Sequence, residues 1–300
     1  MLDFPKLDTG WRGGEPVLLV SVRAFACHMP PFRFPALRVH PRRATRWSML
    51  LVLPALALLP LLWYRLSFTH ARAARLRPIP RIVLWAWEEP EDLRFVNPRD
   101  TGIAFLAAAI RLQAGDTIIH PRFQPLRVPD AAKLVSVVRI EADSRAELSR
   151  SQMERSVAAI VETGSWPRVH AVQVDFDATL SQRNFYRNLL IELRRRLPPA
   201  VPISITALAS WCLDDNWISA LPIDEAVPML FRMSAGRDQV VARLASGTDF
   251  RSPLCQASLG ISTDERWSTL PAGRRVYIFH TKPWDQKTEL ALLREVRQWR

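Results

Sequence analysis

Two aspartates, Asp175 and Asp177, close the run VHAVQVDFDA (169–178), in which Val172, Val174 and Phe176 take the alternate positions. Successive strand side chains face opposite ways, so Gln173, Asp175 and Asp177 share one face and the apolar trio the other. A carboxylate at the mouth of a buried strand costs several kcal/mol unless it is paired or wet. Either a layer of ion pairs compensates here, or the aspartates belong to a site. Two carboxyl groups facing a cleft suit cleavage of a glycosidic bond, which needs one acid to protonate the leaving oxygen and one carboxylate as nucleophile or base. They stand about 5–5.5 Å apart for retention and about 6.5–9.5 Å apart for inversion.

The same parity rule applies to neighbouring apolar runs. It turns Arg139 and Glu141 inward on LVSVVRIEAD, Ser204 and Thr206 on PISITALASW, Arg232 on EAVPMLFRM, and Ser262 and Asp264 on ASLGISTDE. Catalytic roles are expected at Asp177 with Glu141 or Asp264 across a cleft, and at Asp175, one pleat deeper, orienting its neighbour or holding Arg139. Adjacent strands lie about 4.8 Å apart, so these groups could also pair with one another as a structural layer. Flat aromatics beside carboxylates suit a sugar. The expected binding residues are therefore Trp85, Trp87, Glu88, Arg139, Gln173, Thr206, Trp211, Arg232, His280 and Trp284. The six histidines form neither HxH nor HExxH, and no GxSxG elbow is present, so neither a metal nor a nucleophilic serine is expected. No cofactor is expected either.

Eight such runs must position these residues: RIVLWAWE, GIAFLAAAI, LVSVVRIEAD, VHAVQVDFDA, PISITALASW, EAVPMLFRM, ASLGISTDE and RRVYIFHTKPW. Amphipathic stretches lie between several of them. SRAELSRSQMERSVAAIVETG has Ser144 as a cap, SQRNFYRNLLIELRRRLP is stopped by Pro198, and GRDQVVARLASG closes on Gly247. Alternating strands and helices imply a parallel sheet, and eight units in about 220 residues imply an α/β fold, a (β/α)8 TIM-like barrel. Between strands two and three, GDTIIHPRFQPLRVPDAAK carries three prolines and reads as an irregular hairpin insertion. An open doubly wound sheet is the alternative. No glycine-rich phosphate turn supports it.

The formal net charge of +12 is unevenly distributed: residues 1–81 hold thirteen basic side chains against three acidic ones, and the remainder is nearly balanced. No basic stripe with interleaved aromatics follows, so a nucleic-acid partner is not expected. Residues 1–45, rich in Pro and Arg, read as a disordered basic segment, with Met29 as an alternative start. Trp47 to Tyr64 is an 18-residue run without charge that would reach about 27 Å as a helix. Residues 46–65 are therefore expected to be a single transmembrane anchor or signal segment, and HARAA at His70–Ala74 offers a cleavage site in the second case. A basic linker (66–80) and the barrel (81–300) follow. The expected location is the bacterial inner membrane with a periplasmic domain, or secretion after cleavage; Cys212 and Cys255 could pair in that compartment or be separately buried.

LWAWE, VVRIEAD, the pattern VQVDFDAT.SQR.FYR.LL..LR..LP, SITALASWC, DEAVPMLFRM and SLGISTDE together resemble a bacterial family known as the domain of unknown function 3142, over residues 81–284. That resemblance implies an exported protein and supplies no activity. The fourth strand is also distantly similar to the DxxDxDxE signature of chitinase-like barrels. Only Asp175 and Asp177 match it: Val172 replaces the first Asp and Thr179 the proton-donating Glu. The functional expectation is a glycoside-hydrolase-like barrel acting on an envelope or extracellular polysaccharide. The alternative is a non-catalytic carbohydrate-binding or envelope-assembly protein.

Overall fold

The computed structural model of the chain describes residues 70–143, 147–213, 215, 217–233, 236–265, 267 and 270–298. The expected N-terminal segment, the apolar run and the start of the linker lie outside these residues. Among the described residues no helix is long and apolar enough to cross a membrane. In chain order the elements are β1 (Ile82–Ala86), β2 (Glu91–Asp92), β3 (Thr101–Gln113), β4 (Asp116–Pro121), β5 (Leu126–Arg127), β6 (Leu134–Ala142), α1 (Arg150–Gly164), β7 (Val169–Asp175) and α2 (Arg183–Arg196). There follow β8 (Ile203–Leu208), α3 (Ala209–Leu213), β9 (Glu225–Met229), α4 (Arg237–Ala245), β10 (Ser258–Ser262), β11 (Arg275–Phe279) and α5 (Gln286–Gln298).

All eight apolar runs form strands, and these pair in parallel in the order β1-β11-β10-β9-β8-β7-β6-β3. Pairing of β1 with β3, from Ile82 opposite Thr101 to Ala86 opposite Phe105, closes the ring. The result is a closed eight-stranded parallel barrel wrapped by helices. No helix follows β1, β3 or β10 among the described residues; β2 and β5 form a separate two-stranded sheet, and β3 instead turns at Ala114 and Gly115 into antiparallel β4. Both turn residues have positive φ, 42° and 88°, which suits a two-residue hairpin. This is the expected insertion between strands two and three.

The helices follow from local sequence. Ser149 caps α1 by accepting from the Gln152 backbone N–H, while the Gln152 side chain accepts from the Ser149 N–H, so the cap lies five residues beyond Ser144. Helix α2 carries Arg194, Arg195 and Arg196 in its last turn, where cations oppose the negative end of the helix dipole, and stops before Pro198.

Two apolar cores share the strands by parity. Val172, Val174 and Phe176 pack outward with Tyr186, Leu189, Leu190 and Leu193 of α2, whereas Val83, Trp85, Ala104, Val135, Val137, Ala171, Val227 and Tyr277 fill the bore. The lower end of the bore is plugged by Ile79, and residues 70–76 are helical. Residues 70–80, expected as linker, are thus built into the barrel. Arg75 pairs with the fully buried Asp224, which also takes Arg194 and the Ile203 N–H. Arg275 reaches Glu225 Oε2 at 2.8 Å and the carbonyl oxygens of Leu76, Ile79 and Pro80, and Tyr277 donates to Glu225 Oε1 at 2.7 Å. An unpaired carboxylate at either position would cost several kcal/mol, so these cations are structural.

Cys212 and Cys255 form a disulfide, with Cα atoms 5.8 Å apart and a separation of 43 residues. It ties α3 to the chain entering β10. Closing a loop of that length stabilises the fold by about 4 kcal/mol through the unfolded chain. Replacing both cysteines by alanine is expected to lower the melting temperature by about 8–16 °C in a thermal melt; an unchanged melt would mean that the loop is held by packing alone.

Candidate functional site

The carboxyl ends of the strands open on a cleft of about 390 Å³. Its floor is Trp85. The indole N–H donates to Gln173 Oε1 at 2.8 Å, Gln173 in turn donates to Ser204 Oγ at 3.0 Å, and the ring lies 5.3 Å from Tyr277. The ring fits because β10 presents Gly260 to it: a Cβ there would stand 2.9 Å from Trp85 Cη2. Gln173 therefore sits beneath the cleft as a support, below the level a ligand reaches.

The β7 wall carries the acids. Asp175 accepts from the Thr206 hydroxyl at 2.6 Å and faces Arg139 in register on β6. It is reached by solvent only through the cleft and is otherwise enclosed by protein. Burial is the main reason its carboxyl is pushed up to about 6; Asp177 and Glu141 push in the same direction, while the Thr206 hydrogen bond and Arg139 oppose it. Asp177 stands further out, exposed in the cleft, and its carboxyl is also raised by burial, with Arg139 pulling the other way. Among the described residues neither aspartate is in a salt bridge. The opposite wall is aromatic: Phe231 and Phe279 stack in parallel at 5.6 Å, Trp87 meets Phe279 edge-on at 6.2 Å, and Phe231 meets Trp85 edge-on at 6.1 Å.

Of the expected residues, Trp85, Trp87, Arg139, Asp175, Asp177, Thr206 and Arg232 line the cleft. Six others do not. Glu141 lies where β3 and β6 run on past the β7 strand, and there it pairs with Arg139 at 3.0 Å and with Arg111 at 3.6 Å. Asp264 has left β10 and accepts from Thr281 at 3.5 Å. Trp211 fails because β8 ends at Leu208: the chain becomes helical, parity no longer applies, and the ring packs on Trp217 at 4.9 Å in the outer core. His280 and Trp284 stack on each other at 5.0 Å in the loop after β11, and Trp284 braces the β1 carbonyl of Trp85 at 2.9 Å from outside. Glu88 is exposed beyond β1.

Phe279 was missed although it continues the inward face of β11, whereas Met229 and Phe231 were missed because the parity that turned Arg232 inward put them outside: the bore face of β9 runs through Val227, and Arg232 reaches the cleft from the loop beyond the strand end. Met233, Gln239 and Val240 come from the loop and helix after β9, which fold over the cleft and carry no strand signal. Among the described residues no cluster of His, Cys, Asp and Glu could hold a metal ion.

A family model described as "Domain of unknown function (DUF3142)" matches residues 130–249, which run from the approach to β6 past the end of α4. The resemblance to that family is borne out over this stretch. Arg139, Asp175, Asp177, Thr206 and Arg232 all lie within it. No curated protein and no solved structure matches the chain.

The Asp175 carboxyl has a consequence for stability. Its value rises from 3.8 to about 6 on folding, so the native state holds this proton more tightly than the unfolded chain. The contribution is full below about pH 4 and is lost as pH rises through 6, amounting to about 2–3 kcal/mol. Asp175→Asn is therefore expected to gain stability relative to the parent between pH 4 and pH 7 in urea titrations. A difference that stays flat over that range would mean a carboxyl in open water.

Proposed function

We propose that the cleft binds a polysaccharide of the cell envelope or extracellular matrix and hydrolyses it, with Asp177 as the proton-transferring group. The observation that carries this reading is a pair of strand-end aspartates that, among the described residues, form no salt bridge and face an aromatic wall across an open cleft, with Arg139, itself bridged to Glu141, as the nearby cation. Asp177 reaches the cleft and its carboxyl is raised by burial, the direction a general acid needs: its proton passes to the leaving glycosidic oxygen, that bond breaks, and water adds at the anomeric carbon and returns a proton to the Asp177 carboxylate. Asp175 is a positioning residue beneath it, fixed by Thr206.

A second reading, a carbohydrate-binding or envelope-assembly barrel without catalysis, is favoured by one observation. Glu141 and Asp264, expected to complete the acid pair across the cleft, lie outside it, and position 179 is threonine where chitinase-like barrels carry the acid. Carboxyls on a single strand do not straddle a bond as paired retaining or inverting acids do. Hydrolysis by this cleft therefore relies on Asp177 from one side.

We place the barrel outside the cytoplasm, anchored in the inner membrane by residues 46–65 or released after cleavage. The disulfide supports an oxidising compartment.

Both readings are tested by Asp177→Asn assayed against a panel of envelope polysaccharides. The enzyme reading expects turnover to fall by about 10²–10⁴-fold with sugar binding retained and the melting temperature near that of the parent. Binding by the parent without any release of reducing ends would favour the second reading. Absence of both would remove the carbohydrate assignment.

A further inference from the structure

Arg232 stands across the cleft from the aspartates, in the loop between β9 and α4. Its backbone is in the left-handed region, with φ 51°, which a long L side chain adopts only when its surroundings enforce it. Here the enforcing group is Glu265: one carboxylate oxygen accepts the Arg232 backbone N–H at 2.6 Å and the other is taken by Arg237. The Arg232 guanidinium stands over the Phe279 ring, 5.0 Å from its centroid, and Phe279 in turn stacks with Phe231 at 5.6 Å. Among the described residues no carboxylate pairs with this guanidinium, because Glu265 is engaged by the backbone and by Arg237. The other cleft arginine, Arg139, is already occupied by Glu141 at 3.0 Å.

A guanidinium placed over an aromatic ring in the cleft lining, with no carboxylate partner among the described residues, has its fork of donors available for a planar anion that accepts two parallel hydrogen bonds. We propose that Arg232 binds a carboxylate carried on the sugar itself, so that the ligand of this cleft is an acidic polysaccharide containing uronic acid units. This rests on the carbohydrate reading above and names its substrate class. Strand β9 is two strands from β7, about 10 Å away. The acidic unit therefore lies on the β9 side, and Asp177, which would repel the same carboxylate, faces the neighbouring unit. The ligand polarity is fixed by that separation of charge.

The test uses the full chain in detergent and titration calorimetry with galacturonate, mannuronate and glucuronate oligosaccharides, each beside its carboxyl-reduced neutral counterpart. The parent is expected to bind at least one acidic oligomer about tenfold more tightly than its reduced form, with a preference that shrinks as salt is raised. Arg232→Gln is expected to bring that ratio to about one, and Arg232→Lys, which keeps the charge without the fork, to retain part of it. Arg232→Gly, free to adopt the left-handed backbone, is expected to lose the preference while melting no lower than the parent. The inference is overturned if the preference survives in Arg232→Gln, or if the parent binds reduced oligomers or other neutral polysaccharides better than acidic ones; in that second case the carbohydrate reading stands. Failure of every sugar, acidic and neutral, overturns both.

Discussion

The indole of Trp85 decides what kind of barrel this is. Eight parallel strands leave a bore that side chains must fill, and here one large ring fills much of it at the height where the cleft begins. The ring is held by a buried hydrogen bond to Gln173, which is itself satisfied by Ser204, and it is admitted by the absence of a side chain at Gly260. Breaking that chain would leave a buried amide or indole N–H without a partner, so the three strands β1, β7 and β8 are pinned in one register about the ring. Asp175 and Thr206 are the next inward positions on two of those strands. Their meeting at 2.6 Å is a consequence of the same register.

The two ends of the bore treat carboxylates in opposite ways. At the plugged end, Asp224 and Glu225 are fully buried, and each is met by arginine and by further donors. At the open end Asp175 has a hydroxyl and no salt bridge, and Asp177 has neither among the described residues. Burial that outweighs the nearby Arg139 raises a carboxyl group instead of fixing it as an anion, and that is the direction both aspartates take. The same residue type is a bridged structural ion at one end and a raised carboxyl without a salt bridge at the other. Of the two compensations open to the strand-end aspartates, an ion-pair layer exists in this fold. It lies below them.

Most of the barrel was legible because strand parity is a strong signal. Valines and phenylalanines at alternate positions assigned faces on β7 correctly, and the three prolines between Pro121 and Pro129 marked the insertion. The site was legible only while the chain stayed extended. Trp211 and Asp264 were misread at the points where β8 and β10 end and side chains no longer alternate, and Glu141 where β6 outruns its neighbour. Residues 70–80 looked like linker because their arginines suggested a solvated segment, whereas Arg75 pairs with the buried Asp224. The contacts that hold them go largely from the far-off Arg275 to main-chain oxygens, and sequence carries no trace of such contacts.

The barrel is also two unlike halves. From β6 to α4 each strand is followed by a helix, and this regular half, which coincides with the family match, supplies Arg139, both aspartates, Thr206 and Arg232. The half running through β10, β11, β1 and β3 keeps only one of its helices among the described residues and supplies Trp85, Trp87 and Phe279. Rigid strand–helix units are suited to charged groups, whose interactions decay if their spacing drifts, whereas a stacking face tolerates small displacements because dispersion is spread over many atoms. Helices packed behind β6 to β9 hold the polar wall in place. The aromatic wall needs less support from outside, since Trp85, Phe231, Tyr277 and Phe279 brace one another across the bore.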